Sequence, residues 1–240
     1  MLKKSVWDSG FFRRKIASIE NSEKPLGIKA MRRLLDSAGR KKFECLYLQL
    51  PYDCPDLSRY FPKAGFVLAD IRLVLVKKLR GCDHLPDGCL RRLKEGSYYP
   101  FLKTIARGLS SFSRFANDPG FGIMQARRLY EEWLRKSFYG KFCDDFLIYL
   151  KKRRPAGFIT IRIKKGVPFI DLLGVGEEAR GRGAGSALVE GVECKLYRQK
   201  YRILKVVTQA RNYQAVGFYL KNGFSLEKVS FFYHIWLKKT

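Results

Sequence analysis

The sequence lacks the segments that would carry a chain into or across a membrane. No apolar run approaches the roughly 18–20 residues that a membrane-spanning helix requires. Residues 1–8 also lack the apolar stretch of a signal peptide. Disorder is excluded because 46% of the residues are hydrophobic and 14% are aromatic. These absences predict a globular, cytoplasmic protein without a membrane span.

Acidic residues are scarce in this chain. There are 48 Lys and Arg but only 22 Asp and Glu, which gives a formal net charge of +26. Such a charge suggests a polyanionic partner: a nucleic acid, a membrane surface or a phosphorylated small molecule. The basic excess is spread evenly, however, and the longest basic run, residues 151–154, has only four members. Without a basic arm, nucleic acid is disfavoured as a partner, and a solvated basic surface is the alternative interpretation.

The cysteines lack the spacing of a metal site or of a disulfide framework. The six are scattered over residues 45–194, which favours reduced thiols. Cys82, His84 and Cys89 form the one cluster that could bind zinc, but it has no C-x-x-C pair and no fourth ligand nearby. We therefore expect no metal site.

The spacing of apolar residues predicts a mixed α/β protein of the α+β type. The predicted strands cover residues 11–20, 43–50, 67–76, 145–150, 157–163, 168–175, 203–208 and 224–237. The predicted helices cover residues 27–41, 85–109, 121–138, 183–200 and 212–222, with a short helix or turn at 55–61. We expect a smaller N-terminal α/β lobe over residues 1–80 and a second domain over residues 81–240.

A short pattern occurs twice in the chain. Residues 63–68 and 221–226 each contain Gly-Phe between a basic start and a strand-like run. A partial internal repeat would explain the pattern. Coincidence is the alternative, because Gly-Phe after a helix is a common way to end it and to begin a core strand.

A glycine-rich loop between a predicted strand and a predicted helix is the strongest chemical signal. Residues 180–185 read Arg-Gly-Arg-Gly-Ala-Gly. Glycines let the backbone approach a ligand closely, and free N–H groups at a helix start bind phosphate. Arg180 and Arg182 add charged hydrogen-bond donors. A P-loop is excluded because its motif is missing, and a dinucleotide fingerprint starting at Gly174 would place two glutamates against the pyrophosphate.

This loop resembles the [RQ]-x-x-G-x-[GA] motif of the GNAT acetyltransferases. Residues 212–224, with the sequence NYQAVGFYLKNGF, are similar to the N-x-x-A-x-x-x-Y-x-x-x-G-F pattern of the same family. Shorter motifs at residues 7–12, 113–115, 129–133, 208–212 and 233–236 resemble the dTDP-fucosamine (dTDP-4-amino-4,6-dideoxygalactose) N-acetyltransferases. The resemblance covers nearly the whole chain and implies the GNAT fold, with a central mixed, mostly antiparallel sheet.

The resemblance also implies acetyl-CoA as co-substrate and direct acetyl transfer to the amine of a nucleotide-linked amino sugar. Tyr219 would be the general acid, and Asp171 or His234 would be the base, unless the amine needs none. Arg114 would contact the acceptor diphosphate or, alternatively, form a structural ion pair. The implied coenzyme-binding residues are Leu173, Val175, Arg180, Gly181, Arg182, Gly183, Ala184, Gly185, Ser186, Asn212 and Tyr219.

Two other functions stay open at the level of sequence. The same fold could acetylate a protein or peptide amine, or it could be a basic, nucleic-acid-associated module built on this scaffold. The presence of Gly183, Gly185, Asn212 and Tyr219 argues against a scaffold that has lost its coenzyme site. A homodimer is compatible with the sequence.

Overall fold

The computed structural model describes residues 1–20, 27–53, 64–81, 89–91, 96–140 and 142–237. Its strands are β1 (Leu2–Lys4), β2 (Ile16–Ile19), β3 (Cys45–Pro51), β4 (Val67–Lys78), β5 (Cys89–Arg91), β6 (Asp145–Lys151), β7 (Arg154–Lys164), β8 (Val167–Val175), β9 (Ile203–Gln209) and β10 (Ser225–Trp236). Its α-helices are α1 (Val6–Phe12), α2 (Ile28–Arg40), α3 (Tyr99–Leu109), α4 (Gly122–Tyr139), α5 (Ala184–Arg198) and α6 (Tyr213–Lys221).

The ten strands of the described residues belong to one sheet, in the order β1-β2-β3-β10-β4-β9-β8-β7-β6-β5. The pairs β2–β3 and β8–β9 are parallel. The other neighbours are antiparallel. The prediction of a mixed, mostly antiparallel sheet is therefore confirmed.

Helices cover both faces of this sheet. On β7, Phe158 and Ile159 are both fully buried but point to opposite faces, as alternation along a strand requires. Phe158 packs in the core under α3 and α4, whereas Ile159 packs in the core under α5 and α6. The sheet thus separates two helical layers, which we call the α3/α4 face and the α5/α6 face.

Strand β10 lies between β3 and β4, which come from the first third of the chain. The pattern that occurs twice in the sequence leads into β4 and β10, which pair with each other. Gly65 and Gly223 both adopt a positive φ, +83° and +81°, and each precedes a buried phenylalanine, Phe66 or Phe224. The division at residue 80 and the internal repeat stay predictions.

The predicted strand over residues 11–20 is wrong in its first part. Phe11 is aromatic and favours strands by propensity, but it belongs to α1, where it stacks on Trp7 one helical turn earlier at 5.3 Å. Arg13 then ends the helix in the left-handed conformation, and the strand begins only at Ile16.

The predicted helix over residues 85–109 is also too long. Cys89–Arg91 is a strand that pairs with β6, and the helix begins at Tyr99 with Pro100 in its first turn, where a missing N–H costs nothing. The predicted element at 55–61 lies outside the described residues. Between β6 and β7, Lys152 and Arg153 both take positive φ, so the turn is tighter than predicted.

The described cysteines do not all match the prediction of reduced thiols. Cys45 is a buried free thiol, but Cys194 is disulfide-bonded, which contradicts the prediction at that position. Among the described side chains, no group of His, Cys, Asp and Glu could hold a metal ion, and Cys82 and His84 lie outside them. No described helix is long and apolar enough to cross a bilayer.

Candidate active site

The parallel strands β8 and β9 separate part-way along their length. They pair through Phe169–Lys205 and Ile170–Val206, and no further pair joins these two fully described strands. Beyond this point each strand is held by its outer neighbour, β8 by β7 as far as Val175 and β9 by β4 as far as Gln209. The facing edges therefore present unpaired backbone groups along an opening in the sheet.

A β-bulge marks the start of this opening. On β7, Thr160 and Ile161 are consecutive, but their partners on β8 are Leu172 and Ile170, so Asp171 is the extra residue. The side-chain hydroxyl of Thr160 accepts a hydrogen bond of 3.0 Å from the backbone N–H of Leu172. The bulge leaves Asp171 without a register partner on β7 while the strand stays attached, and Asp171 lines the cleft.

A cleft of about 1360 Å³ passes along this opening and reaches both faces of the sheet. It brings together most of the residues that the sequence singles out. Those that line it are Asp171, Leu173, Val175, Arg180, Gly181, Gly183, Ala184, Gly185, Ser186, Asn212 and Tyr219. Three others, Arg182, His234 and Arg114, are not part of this lining.

The loop before α5 is built to bind an anion. Gly181 and Gly183 have φ of +70° and +83°, a region that side chains rarely adopt, and a Cβ at either position would meet nothing within 4 Å. No side chain caps α5, so its first N–H groups face the cleft without an intrahelical partner. Arg180 Nε donates to the Val175 carbonyl at 3.1 Å, which ties the loop to β8.

Tyr219 lies on α6 at the same end of the cleft. Only 5% of its surface is exposed, and its ring contacts Phe218 and Phe224 at 5.2 and 5.3 Å. Burial raises the pKa of Tyr219 because it disfavours the phenolate. The hydroxyl therefore keeps its proton at neutral pH and can donate it toward a group in the cleft.

Asn212 begins the helix that carries Tyr219. Its Oδ1 accepts a hydrogen bond of 3.2 Å from the backbone N–H of Ala215, which caps α6. The capping bond uses the side-chain oxygen, so the amide nitrogen is the part of Asn212 that can reach a ligand. The end of β8, the glycine-rich loop and the N-termini of α5 and α6 thus lie together at one end of the cleft.

Residues 114–224 match the model of the acetyltransferase (GNAT) family. These residues form a GNAT acetyltransferase domain. The match contains β8, the glycine-rich loop and α6, which all line the cleft. It confirms the prediction that the chain carries an acyltransferase domain with the GNAT fold.

Two curated proteins are similar to the chain at low identity. The spore coat polysaccharide biosynthesis protein SpsD of Bacillus subtilis (strain 168) is 24% identical over 132 residues, which cover 55% of this chain and 45% of that protein. The mycothiol acetyltransferase of Jonesia denitrificans is 26% identical over 190 residues, which cover 72% and 57%. The chain spans about half the length of the curated relatives it matches.

A solved structure shares the fold. The GCN5-related N-acetyltransferase from Sphaerobacter thermophilus superposes with a TM-score of 0.55 at 17% identity, over 79% of this chain and 59% of that one. This likeness covers a larger share of the chain than the family match does. It supports one GNAT-type sheet for the chain.

Within the GNAT domain, Asp171 is held by two cations. Arg162 Nε lies 2.7 Å from Asp171 Oδ2, and Lys164 Nζ lies 2.8 Å from Oδ1. All three residues line the cleft on the α3/α4 face. The sequence suggests two candidate bases, Asp171 and His234. Of these, only Asp171 lines the cleft.

His234 is placed elsewhere, in the core between β3 and the residues that precede α4. It is fully buried, and its Nδ1 donates to the carboxylate of Asp118, which also accepts from Trp236 Nε1. Among the described residues its Nε2 has no partner. Burial lowers the pKa of His234 to about 4, although the bond to Asp118 partly offsets this effect.

His234 should therefore make the protein acid-sensitive. Its folded pKa lies below the unfolded value near 6.5, so its stabilising effect is present above pH 6.5 and is lost as the pH falls toward 4. Between pH 7 and pH 5 the expected loss is about 2 kcal/mol. Asp70, whose pKa burial raises to about 6, acts in the opposite direction over this range, but it is common to the native protein and to His234→Asn. Urea unfolding at both pH values should therefore show that the native protein loses about 2 kcal/mol more than His234→Asn between pH 7 and pH 5. Equal pH slopes would contradict the assignment.

Arg114 lies beside the same core. Its guanidinium carbon is 4.4 Å from the ring centre of Tyr47 and 4.1 Å from that of Phe232. Its Nη2 is 3.5 Å from the carboxylate of Asp8. These contacts fit the structural ion pair that was the alternative for Arg114, and its role in binding an acceptor stays a prediction.

Sequence reasoning missed residues on the α3/α4 face of the cleft. Thr160, Arg162 and Lys164 lie on β7 at alternate positions and therefore share a face. Their polar alternation, within a strand that is otherwise apolar, was the available signal. Trp7, Tyr130 and Trp133 also line the cleft, but their convergence depends on how α1 packs against α4, which no local pattern encodes.

Proposed function

We propose that this protein transfers the acetyl group of acetyl-CoA directly to the amine of a nucleotide-linked amino sugar. The observation that carries the proposal is the continuous cleft through the sheet, with an anion-binding loop on the α5/α6 face and a polar and aromatic wall on the α3/α4 face. Two substrates entering from opposite faces would meet at the opening between β8 and β9. Direct transfer needs no covalent enzyme intermediate in such a geometry.

The loop from Arg180 to Ser186 would bind the coenzyme pyrophosphate through backbone N–H groups and one arginine. The unpaired edge of β8, at Leu173 and Val175, would hold the pantetheine arm as an added strand. A backbone N–H beside the bulge would then donate to the thioester oxygen as negative charge develops there. Each of these groups is fixed before the substrate arrives.

In the chemical step, the neutral amine nitrogen attacks the thioester carbonyl carbon, and the carbon–sulfur bond breaks. The departing thiolate takes a proton from Tyr219, and the new amide nitrogen loses one proton to Asp171 or to water. Asp171 is favoured over His234 because it lines the cleft, whereas His234 is buried against Asp118. The products are coenzyme A and the N-acetylated sugar.

The sugar assignment has two supports. One is the set of short motifs shared with the amino-sugar enzymes, which include Trp7 and Trp133 in the cleft wall. The other is the relative whose name places it in spore coat polysaccharide biosynthesis. An acetyltransferase acting on a peptide amine is the alternative that the same fold allows.

A thiol-release assay with acetyl-CoA tests the proposal. The acceptor panel would contain dTDP- and UDP-linked amino sugars, the corresponding free amino sugars, and lysine-containing peptides. We expect kcat/KM to be roughly 100-fold or more higher for a nucleotide-linked amine than for a peptide, a difference of about 2.7 kcal/mol. Preference for a peptide would overturn the sugar assignment, and no acetyl-CoA binding in calorimetry would overturn the enzyme assignment.

A further inference from the structure

The cleft has basic residues at two separate places. Arg180 is attached to the carbonyl of Val175 at the end of β8. Arg162 lies opposite Phe169, six residues earlier on the same strand. A strand rises by about 3.3 Å per residue, so the two places are roughly 20 Å apart. One diphosphate cannot occupy both, and the second place is on the acceptor side of the opening.

The second place consists of Arg162 and Lys164 with one acidic neighbour. Asp171 faces both cations, so the three side chains together carry a net positive charge. Arg162 Nε is buried and, among the described residues, has no hydrogen-bond partner, because its N–H does not point at the nearby Asp171 oxygen. The guanidinium also lies 4.0 Å over the ring of Phe142, which fixes its plane.

An aromatic wall lines the same cleft as this basic pair. Trp7, Tyr130 and Trp133 line the same cleft, with ring centres 6.1 Å apart for Trp7–Trp133 and 5.0 Å apart for Tyr130–Trp133. Such rings present apolar area together with N–H and O–H donors, which suits a sugar or a nucleobase. A peptide amine would require neither a second set of cations nor this wall.

We infer that Arg162 and Lys164 form an acceptor-side subsite that binds the diphosphate of a nucleoside-diphosphate-linked amine. The inference rests on the proposed function and names the residues that select its acceptor. The diphosphate lies beyond Asp171 from the thioester, which leaves the amine at the bulge. Arg162 and Lys164 would be specificity-determining residues, since they would contact the diphosphate of the acceptor and not its reacting amine.

Calorimetry with thymidine diphosphate tests the subsite without requiring catalysis. The protein is first saturated with coenzyme A, which fills the phosphate-binding loop, and the probe is then titrated. Arg162→Gln/Lys164→Gln should weaken thymidine diphosphate binding roughly tenfold to thirtyfold, since two charged hydrogen-bond donors are lost. Thymidine, which has no phosphate, should bind equally to both proteins.

Two further variants control the experiment. Lys165→Gln removes a neighbouring charge from the turn after β7, outside the cleft lining, and should change the affinity by less than twofold. Lys164→Gln alone keeps the Arg162–Asp171 pair and should give an intermediate loss. Unchanged coenzyme A affinity in every variant establishes that the fold is intact.

The outcomes separate this subsite from the enzymatic proposal. If the double variant loses probe binding and the native protein acetylates no amine of the panel, the subsite stands and the proposed function is overturned. Equal probe binding by the native protein and the double variant would overturn the subsite. Failure of the native protein, saturated with coenzyme A, to bind millimolar thymidine diphosphate would overturn it as well.

Discussion

Tyr219→Phe is expected to lower kcat by roughly 10²- to 10⁴-fold, the usual contribution of a positioned general acid. The variant removes one hydroxyl and keeps the ring that packs against Phe218 and Phe224. Acetyl-CoA affinity should therefore change by less than twofold. Single-turnover kinetics with the preferred acceptor measure the chemical step directly, so that slow product release does not hide the effect.

Tyr213→Phe is the matched control for this experiment. Tyr213 lies on the same helix but is 72% exposed and does not belong to the cleft lining. The control should leave both kcat and acetyl-CoA affinity unchanged. A single-turnover rate in Tyr219→Phe within threefold of the native rate would remove Tyr219 from the mechanism.

Gly183→Val is expected to raise the dissociation constant of acetyl-CoA by roughly 100-fold. A β-branched residue strongly disfavours the φ of +83° at this position. The loop must therefore change conformation, and the N–H groups at the start of α5 move away from the pyrophosphate. Losing two such charge-assisted hydrogen bonds corresponds to about 3 kcal/mol. Isothermal calorimetry with acetyl-CoA measures the effect.

Gly166→Val controls for the stability lost when valine replaces a glycine with positive φ. Gly166 has a φ of +77°, and its surroundings are as open as those of Gly183, but it lies in the turn between β7 and β8. Both variants should lose similar stability in thermal unfolding, and Gly166→Val should keep its acetyl-CoA affinity. Equal loss of affinity in the two variants would mean that general destabilisation, and not the phosphate-binding loop, explains the result.

The proposed coenzyme end of the cleft was predictable because it is local in sequence. Gly181 and Gly183 adopt positive φ values that favour glycine, and Asn212 caps the helix that carries Tyr219. The loop and this helix are separated in sequence by only about one helix and one strand. The ends of α5 and α6 also followed from apolar spacing. Here the local preferences agree with the tertiary structure.

The proposed acceptor end was not predictable to the same degree because its parts come from distant segments. Trp7 meets Trp133 across more than half of the chain, and Arg162 is only one of 48 basic residues. Nothing in the sequence around His234 indicated that its imidazole would be buried and hydrogen-bonded to Asp118. Strand β5 and helix α1 show the related limit that short elements follow their packing rather than their propensity.

Because β10 separates β3 from β4, the order of synthesis differs from the order in space. As the chain leaves the ribosome, one edge of β3 and both edges of β4 have no partner until β9 and β10 follow, more than 100 residues later. Pairings between such distant segments form slowly, and open strand edges bind one another between nascent chains. The time that these edges stay exposed, more than the final stability, should therefore govern how much of the newly made protein reaches its native state.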